Sequence, residues 1–197
     1  MSSQFPIHTL DSAPAPSRAS LLGLQQAVGM IPNLAAGMAE APTLLRSFLT
    51  VREEYQKGTL TGGEIQVLSI VAAVENDCGW CVAFHSLMAR NEGVADDVVT
   101  ALRDGKPPAD ARLGALSDFA RAMIRRRGAV GQAELDRFVR AGYSRAAALE
   151  VVLGMAFSLM ANYAGHLVNP PLDTPFEPYA WRRPASSSRT EAELVAS

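Results

Sequence analysis

Apolar residues recur along most of this chain three and four positions apart, the spacing of helices with one buried face, and strict apolar/polar alternation is almost absent. Turn signals fall at "GMIPN", "EAPT", "KGTLTGGE", "NEGVADD", "RDGKPPADAR", "RRRGAVGQAE", "RAGYSR" and "VNPPLDTPF", and the intervals between them have helical lengths. Residues 43–57 predict one helix: Thr43 caps it after Pro42, Leu44, Leu45, Phe48, Leu49 and Val51 supply its apolar positions, and Gly58 ends it. The next starts near Thr61, where Glu64 completes a capping box. Its residues Ile65, Val67, Leu68, Ile70, Val71 and Val74 are apolar nearly all round, which predicts deep burial. Further helices are expected through "CVAFHSLMARNEG", "ADDVVTALRDG", residues 110–128 and "GQAELDRFVRAG". A last long helix starts at Ser144 and runs to about 166. The pattern is that of an all-α domain of about eight helices.

With 197 residues, 48% of them hydrophobic, the chain can close one sizeable core. Proline, serine and alanine dominate residues 12 to 20, and "PASSSRTEAELVAS" closes the chain. The expected organisation is therefore a flexible segment over 1–20, one helical domain over 21–184 and a disordered tail over 185–197. The two most apolar helices each follow a glycine-containing turn and lead into a histidine-containing segment, which hints at an internal duplication.

Charge narrows the function. A net charge of -2, from 18 basic and 20 acidic residues mixed along the chain, leaves no footprint for nucleic acid. The one dense basic run, Arg125-Arg126-Arg127, reads as a solvated helix end. The longest apolar stretch contains Glu150, Ser158, Asn162 and His166, which suits a core helix better than a membrane span. The first twenty residues lack the basic head and apolar run of a signal peptide, so a cytoplasmic protein is expected.

The chemistry concentrates in "ENDCGWCVAFH", residues 75 to 85, which holds the chain's two cysteines. A bridge across so short a loop removes little unfolded-state entropy, so stability is not its purpose. A CxxC pair in a cytosolic chain points instead to redox chemistry or a metal. On a helix Cys78, Cys81 and His85 share a face, and Glu75 lies on the same stripe if the helix is continuous. A helix N-terminus lowers a thiol pKa from about 8.5 to roughly 3.5–7.5. The resulting thiolate can attack a peroxide oxygen to give a sulfenic acid, which a second thiol converts to a disulfide. Zinc is the competing reading, because Cys78, Cys81, His85 and Glu75 are all residue types it accepts. Asn162 and His166, four apart, can face one pocket or bond to each other, and a core role for His166 is the plainer alternative. No glycine-rich loop has the strand-to-helix context of a nucleotide site.

The segment "LTGGEIQVLSIVAAVENDCGWCVAFHSLMA" resembles the signature of the alkylhydroperoxidase AhpD-like proteins of the carboxymuconolactone decarboxylase family. The later "GYSRAAALEVVLGMAFSLMANYAGHLVNPPLDTPF" resembles the C-terminal part of the family's peroxidase-related members. The resemblance implies an AhpD-like helical fold, assembly into trimers or larger rings such as hexamers, and hydroperoxide reduction without a cofactor or metal, with a dithiol partner as reductant. It makes Cys81 the peroxide-attacking thiol, Cys78 the proton donor and resolving thiol, and His85 the base. The chain departs from the pattern twice. Gln66 stands where well-characterised hydroperoxidases have a glutamate, and Trp80 where they have a histidine. Glu75 is the expected replacement in the proton relay, with Glu64 the runner-up, and Trp80 is expected to pack against a neighbour or to wall an apolar substrate site.

Overall fold

The structure, a computed structural model, describes residues 5–184. Nine α-helices follow in order among them: α1 Ala15–Val28, α2 Asn33–Met38, α3 Pro42–Gln56, α4 Gly62–Glu75, α5 Gly79–Asn91, α6 Asp96–Arg103, α7 Ala111–Arg125, α8 Gln132–Arg140 and α9 Arg145–Val168. A 3-10 helix, Thr174–Tyr179, comes last, and no strand occurs among the described residues.

The all-α expectation holds, and so do most helix starts. The Thr61 hydroxyl accepts from the Glu64 N–H while the Glu64 carboxylate accepts from the Thr61 N–H, the reciprocal pair that the spacing predicted. Ser144 and Asp110 cap α9 and α7 through their side chains. Thr43 does not cap α3: Ala41 is the N-cap, and Pro42 occupies the first turn, where a missing N–H costs nothing, so Thr43 lies inside the helix.

Residues 15–20, expected within a flexible segment, are helical. α1 starts at Ala15, and Leu21 and Leu24 carry its weak apolar face onto α3. Ser17 is fully buried with its hydroxyl donating to the Ala39 carbonyl at 2.7 Å. Three leucines within four residues, Leu22 among them exposed, in a serine- and glutamine-rich stretch give too little periodicity to set against the flanking prolines. The expected tail over 185–197 lies outside the described residues.

α4 is the hub, packing against α5, α6, α7 and α9. Val67, Leu68, Ile70 and Ala73 are all essentially inaccessible, as an all-round apolar helix requires. α9 runs beside it and also touches α2, α3, α5, α7 and α8. Among the described residues α9 alone is long and apolar enough to cross a membrane, and half of its most apolar stretch is packed inside the protein. It continues unbroken through His166, unlike α4, which stops before the next helix carries His85, so the suggested duplication finds no matching pair here.

The break after α4 positions the chemistry. Asp77 takes a left-handed φ of 59°, a conformation aspartate tolerates better than most residues. The Cys78 N–H donates to the Ala73 carbonyl at 2.9 Å and the Asp77 N–H to the Val74 carbonyl at 3.2 Å, which is a Schellman ending with aspartate in place of glycine. The chain thus reverses within two residues, and Cys78 becomes the N-cap of α5.

Candidate active site

Cys78 and Cys81 are joined as a disulfide at the start of α5, their Cα atoms 5.3 Å apart. Both are buried, at 3% and 1% exposure. α9 passes directly over them because residue 165 is glycine: a Cβ there would lie 2.9 Å from Cys78 Sγ. The turn that presents the pair is braced by α9. Asn76 Nδ2 donates to Asn162 Oδ1 at 2.9 Å, and the Asn76 carbonyl is 2.6 Å from His166 Nε2. Asn162 and His166 therefore converge on Asn76 rather than on each other or on a pocket.

One turn beyond Cys81, His85 is buried, with Nδ1 2.8 Å from Gln66 Oε1 on α4. An amide oxygen can only accept, so Nδ1 carries the proton and Nε2 keeps its lone pair. Burial, helped by the positive charge of Arg52, pushes the imidazole down to about 3, so it is neutral over the physiological range. A neutral imidazole of fixed tautomer presents a hydrogen-bond acceptor at Nε2, and its low pKa makes it a weak base.

Glu75 is not part of this arrangement. Because α4 stops before α5 begins, the carboxylate falls off the stripe and turns to α7. There Arg125 binds it at 2.8 and 2.9 Å and Arg121 Nε lies 3.7 Å away. The expected replacement for the missing family glutamate is thus a structural ion pair, and Gln66 itself occupies the position next to His85. The zinc set that included Glu75 is not assembled either. Glu64, the runner-up, is held by Thr61 and by Arg112 Nε at 2.9 Å. Burial pushes its carboxyl up, but these hydrogen bonds prevail and leave it below the usual range. Arg125 and Arg126 are also more than a solvated helix end, since Arg126 pairs with Glu134 at 2.7 Å.

Cys81 and His85 open onto a mainly apolar cavity between α1, α2, α3, α5 and α9. Its walls include Phe48 stacked on Phe157 at 4.7 Å and Trp80 stacked on Phe84 at 5.4 Å. Trp80 both packs and lines the cavity, and its Nε1–H donates to Asp173 Oδ2 at 3.0 Å. Asp173 also accepts from the Asn33 N–H at 3.0 Å, and burial nevertheless leaves its carboxyl raised. The C-terminal segment thereby clamps α5: Phe176 meets Trp80 and Phe84 edge-on, and Arg103 Nη1 donates to the Tyr179 carbonyl and to Ser86 Oγ. Sequence reasoning missed Phe48, Arg52, Phe84, Phe157 and Asp173. A signal existed for Gln66, a neutral amide within an otherwise apolar helix, where a buried amide needs a specific partner.

These features define a class: an all-helical protein whose CxxC pair starts a buried helix, with a histidine one turn further on. Residues 42–122 match the model of the Carboxymuconolactone decarboxylase family, and the helical fold is that of AhpD-like proteins. The fold recurs in a peroxidase-related protein from Ralstonia eutropha JMP134, described as an alkylhydroperoxidase AhpD core. That structure has a TM-score of 0.79 and 22% identity, over 88% of this chain and 94% of that one. A peroxidase-related protein from Silicibacter sp. TM1040 gives 0.73 and 18%, over 88% and 92%. The apo debrominase Bmp8 gives 0.70 and 19%, over 88% and 94%. No curated protein matches the chain in sequence.

Proposed function

We propose that this protein is a thiol-dependent peroxidase that reduces hydroperoxides at Cys81. The observation that carries the reading is the opening of Cys81 onto the same apolar cavity as a buried, neutral His85 whose Nδ1 is occupied by Gln66. His85 Nε2 accepts a hydrogen bond from the Cys81 thiol and relays its proton towards the leaving alkoxide as the sulfur, favoured as thiolate by the N-terminal turn of α5, attacks one peroxide oxygen. The O–O bond breaks, alcohol leaves with that proton, and Cys81 becomes a sulfenic acid. Cys78 sulfur then displaces water to form the disulfide, and an external dithiol returns two electrons and two protons. Burial of both sulfurs means that the reductant must meet a form in which the start of α5 is uncovered.

The reading includes a homo-oligomer, trimeric or hexameric, acting in the cytoplasm. Leu149, Val152, Leu159, Tyr163 and Leu167 form an exposed apolar stripe along α9 and favour such assembly. The test is peroxide consumption by the reduced protein with a dithiol in excess. Repeated turnover, with sulfenic acid trapped at Cys81 in a Cys78→Ser variant, is the expected result. A single stoichiometric oxidation would indicate a redox sensor instead. Because a debrominase shares the fold, a brominated pyrrole belongs in the same assay, and its preferential reduction would replace hydroperoxide as the electrophile.

A further inference from the structure

Arg52 reaches the cavity of Cys81 and His85 from α3, the one residue with a permanent charge among those lining it. It is half-buried, and among the described residues no hydrogen bond or ion pair engages its guanidinium. The carboxylates next to it in sequence are taken elsewhere: Lys57 Nζ lies 3.0 Å from Glu53 and 2.8 Å from Glu54. Other half-buried or buried arginines are fully occupied. Arg103 donates to three oxygens, Arg183 pairs with Asp77, and Arg121 sits between Glu75 and Asp118. In the disulfide form the rest of the cavity offers no competing anion, because its lining is aliphatic and aromatic apart from the neutral imidazole and the bonded sulfur of Cys81. A guanidinium partly removed from water with no counterion is unfavourable, and it is also the group best shaped to grip a carboxylate through two parallel hydrogen bonds.

We propose that the cavity recognises molecules with an apolar body and a carboxylate headgroup, which Arg52 binds while the body lies against the stacked pair of Phe48 and Phe157 towards Cys81. This rests on the peroxidase reading only in naming such molecules substrates: the preferred hydroperoxides carry a carboxylate at the end remote from the O–O bond. A neutral hydroperoxide fills the apolar part of the cavity and leaves Arg52 without a partner.

Binding of 4-isopropylbenzoate and of its neutral isostere 4-isopropylbenzamide to the full-length disulfide protein tests the site without any thiol chemistry. Titration calorimetry should show the carboxylate binding about tenfold or more tighter than the amide, the ratio expected of a charge-assisted hydrogen bond. In Arg52→Gln that ratio should fall to near one, and Arg52→Lys should recover part of it while lacking the two-pronged geometry. A thermal midpoint equal to the parent's checks that Arg52→Gln folds. Equal affinities in the parent, a preference that survives Arg52→Gln, or binding of neither compound would overturn the proposal. Carboxylate binding through Arg52 in a protein that consumes no hydroperoxide would retain the anion site and remove the peroxidase reading, so the two failures are distinguishable.

Discussion

Replacing Glu75 by glutamine tests whether this carboxylate stabilises the fold or moves protons. Its side chain is 7% exposed and contacts Arg121, 9% exposed, and Arg125, 56% exposed. Burial pulls the Arg121 guanidinium down, and the Glu75 charge opposes that pull. In Glu75→Gln the buried guanidinium keeps only Asp118 Oδ1 at 3.4 Å and the Lys106 carbonyl at 2.8 Å. Removing one partner of a buried pair costs about 3–5 kcal/mol, and the partners that remain reduce this to about 2–3 kcal/mol. In a chain of this size such a loss lowers Tm by about 5–10 °C. Thermal unfolding followed by circular dichroism measures it, and hydroperoxide consumption well below both midpoints should stay within about twofold of the parent. An unchanged Tm together with a collapse of peroxide turnover would refute this reasoning and return Glu75 to the proton relay.

Gln66→Leu should leave the fold intact but slow thiol oxidation by hydroperoxide about a hundredfold, because His85 loses the acceptor that fixes its tautomer; stopped-flow tryptophan fluorescence would follow the loss. His85 has a folded pKa of about 3 against an ordinary 6.5. The unfolded chain therefore binds the extra proton between these values, and the His85 contribution is complete above pH 6.5 and is lost as pH falls towards 3, by up to about 1.4 kcal/mol per unit. Urea midpoints across that range should fall less steeply in His85→Gln than in the parent. Gly165→Ala places a methyl 2.9 Å from Cys78 Sγ, an overpacking worth about 1–3 kcal/mol, and denaturant titration of the oxidised protein should detect it. Tyr55 has a buried hydroxyl without a hydrogen-bond partner, so Tyr55→Phe should be neutral or stabilising by the same titration.

Local rules carried most of the secondary structure. Thr61, Ser144 and Asp110 cap the helices that the apolar periodicity outlines, because a cap is satisfied within three residues of its own chain. The same locality explains what went wrong. Glu75, Cys78, Cys81 and His85 share a stripe only on an unbroken helix, and nothing in "ENDCG" required aspartate to take the left-handed position that breaks it. α1 and α2 were missed because their burial depends on surfaces supplied by α3 and α9.

The sequence by itself determined an all-helical chain with a deeply buried α4 and with two thiols and an imidazole one helical turn apart, since these follow from spacing along one backbone. Tertiary structure alone decided which neighbours those groups acquire. Gln66 reaches His85 across the α4–α5 packing, Glu75 goes to the arginines of α7, Gly165 makes room for the sulfurs, and Arg52 enters the cavity from α3. The physical reason is that a hydrogen bond or ion pair between helices depends on their packing angle and rotation, which the whole core fixes and no single segment encodes.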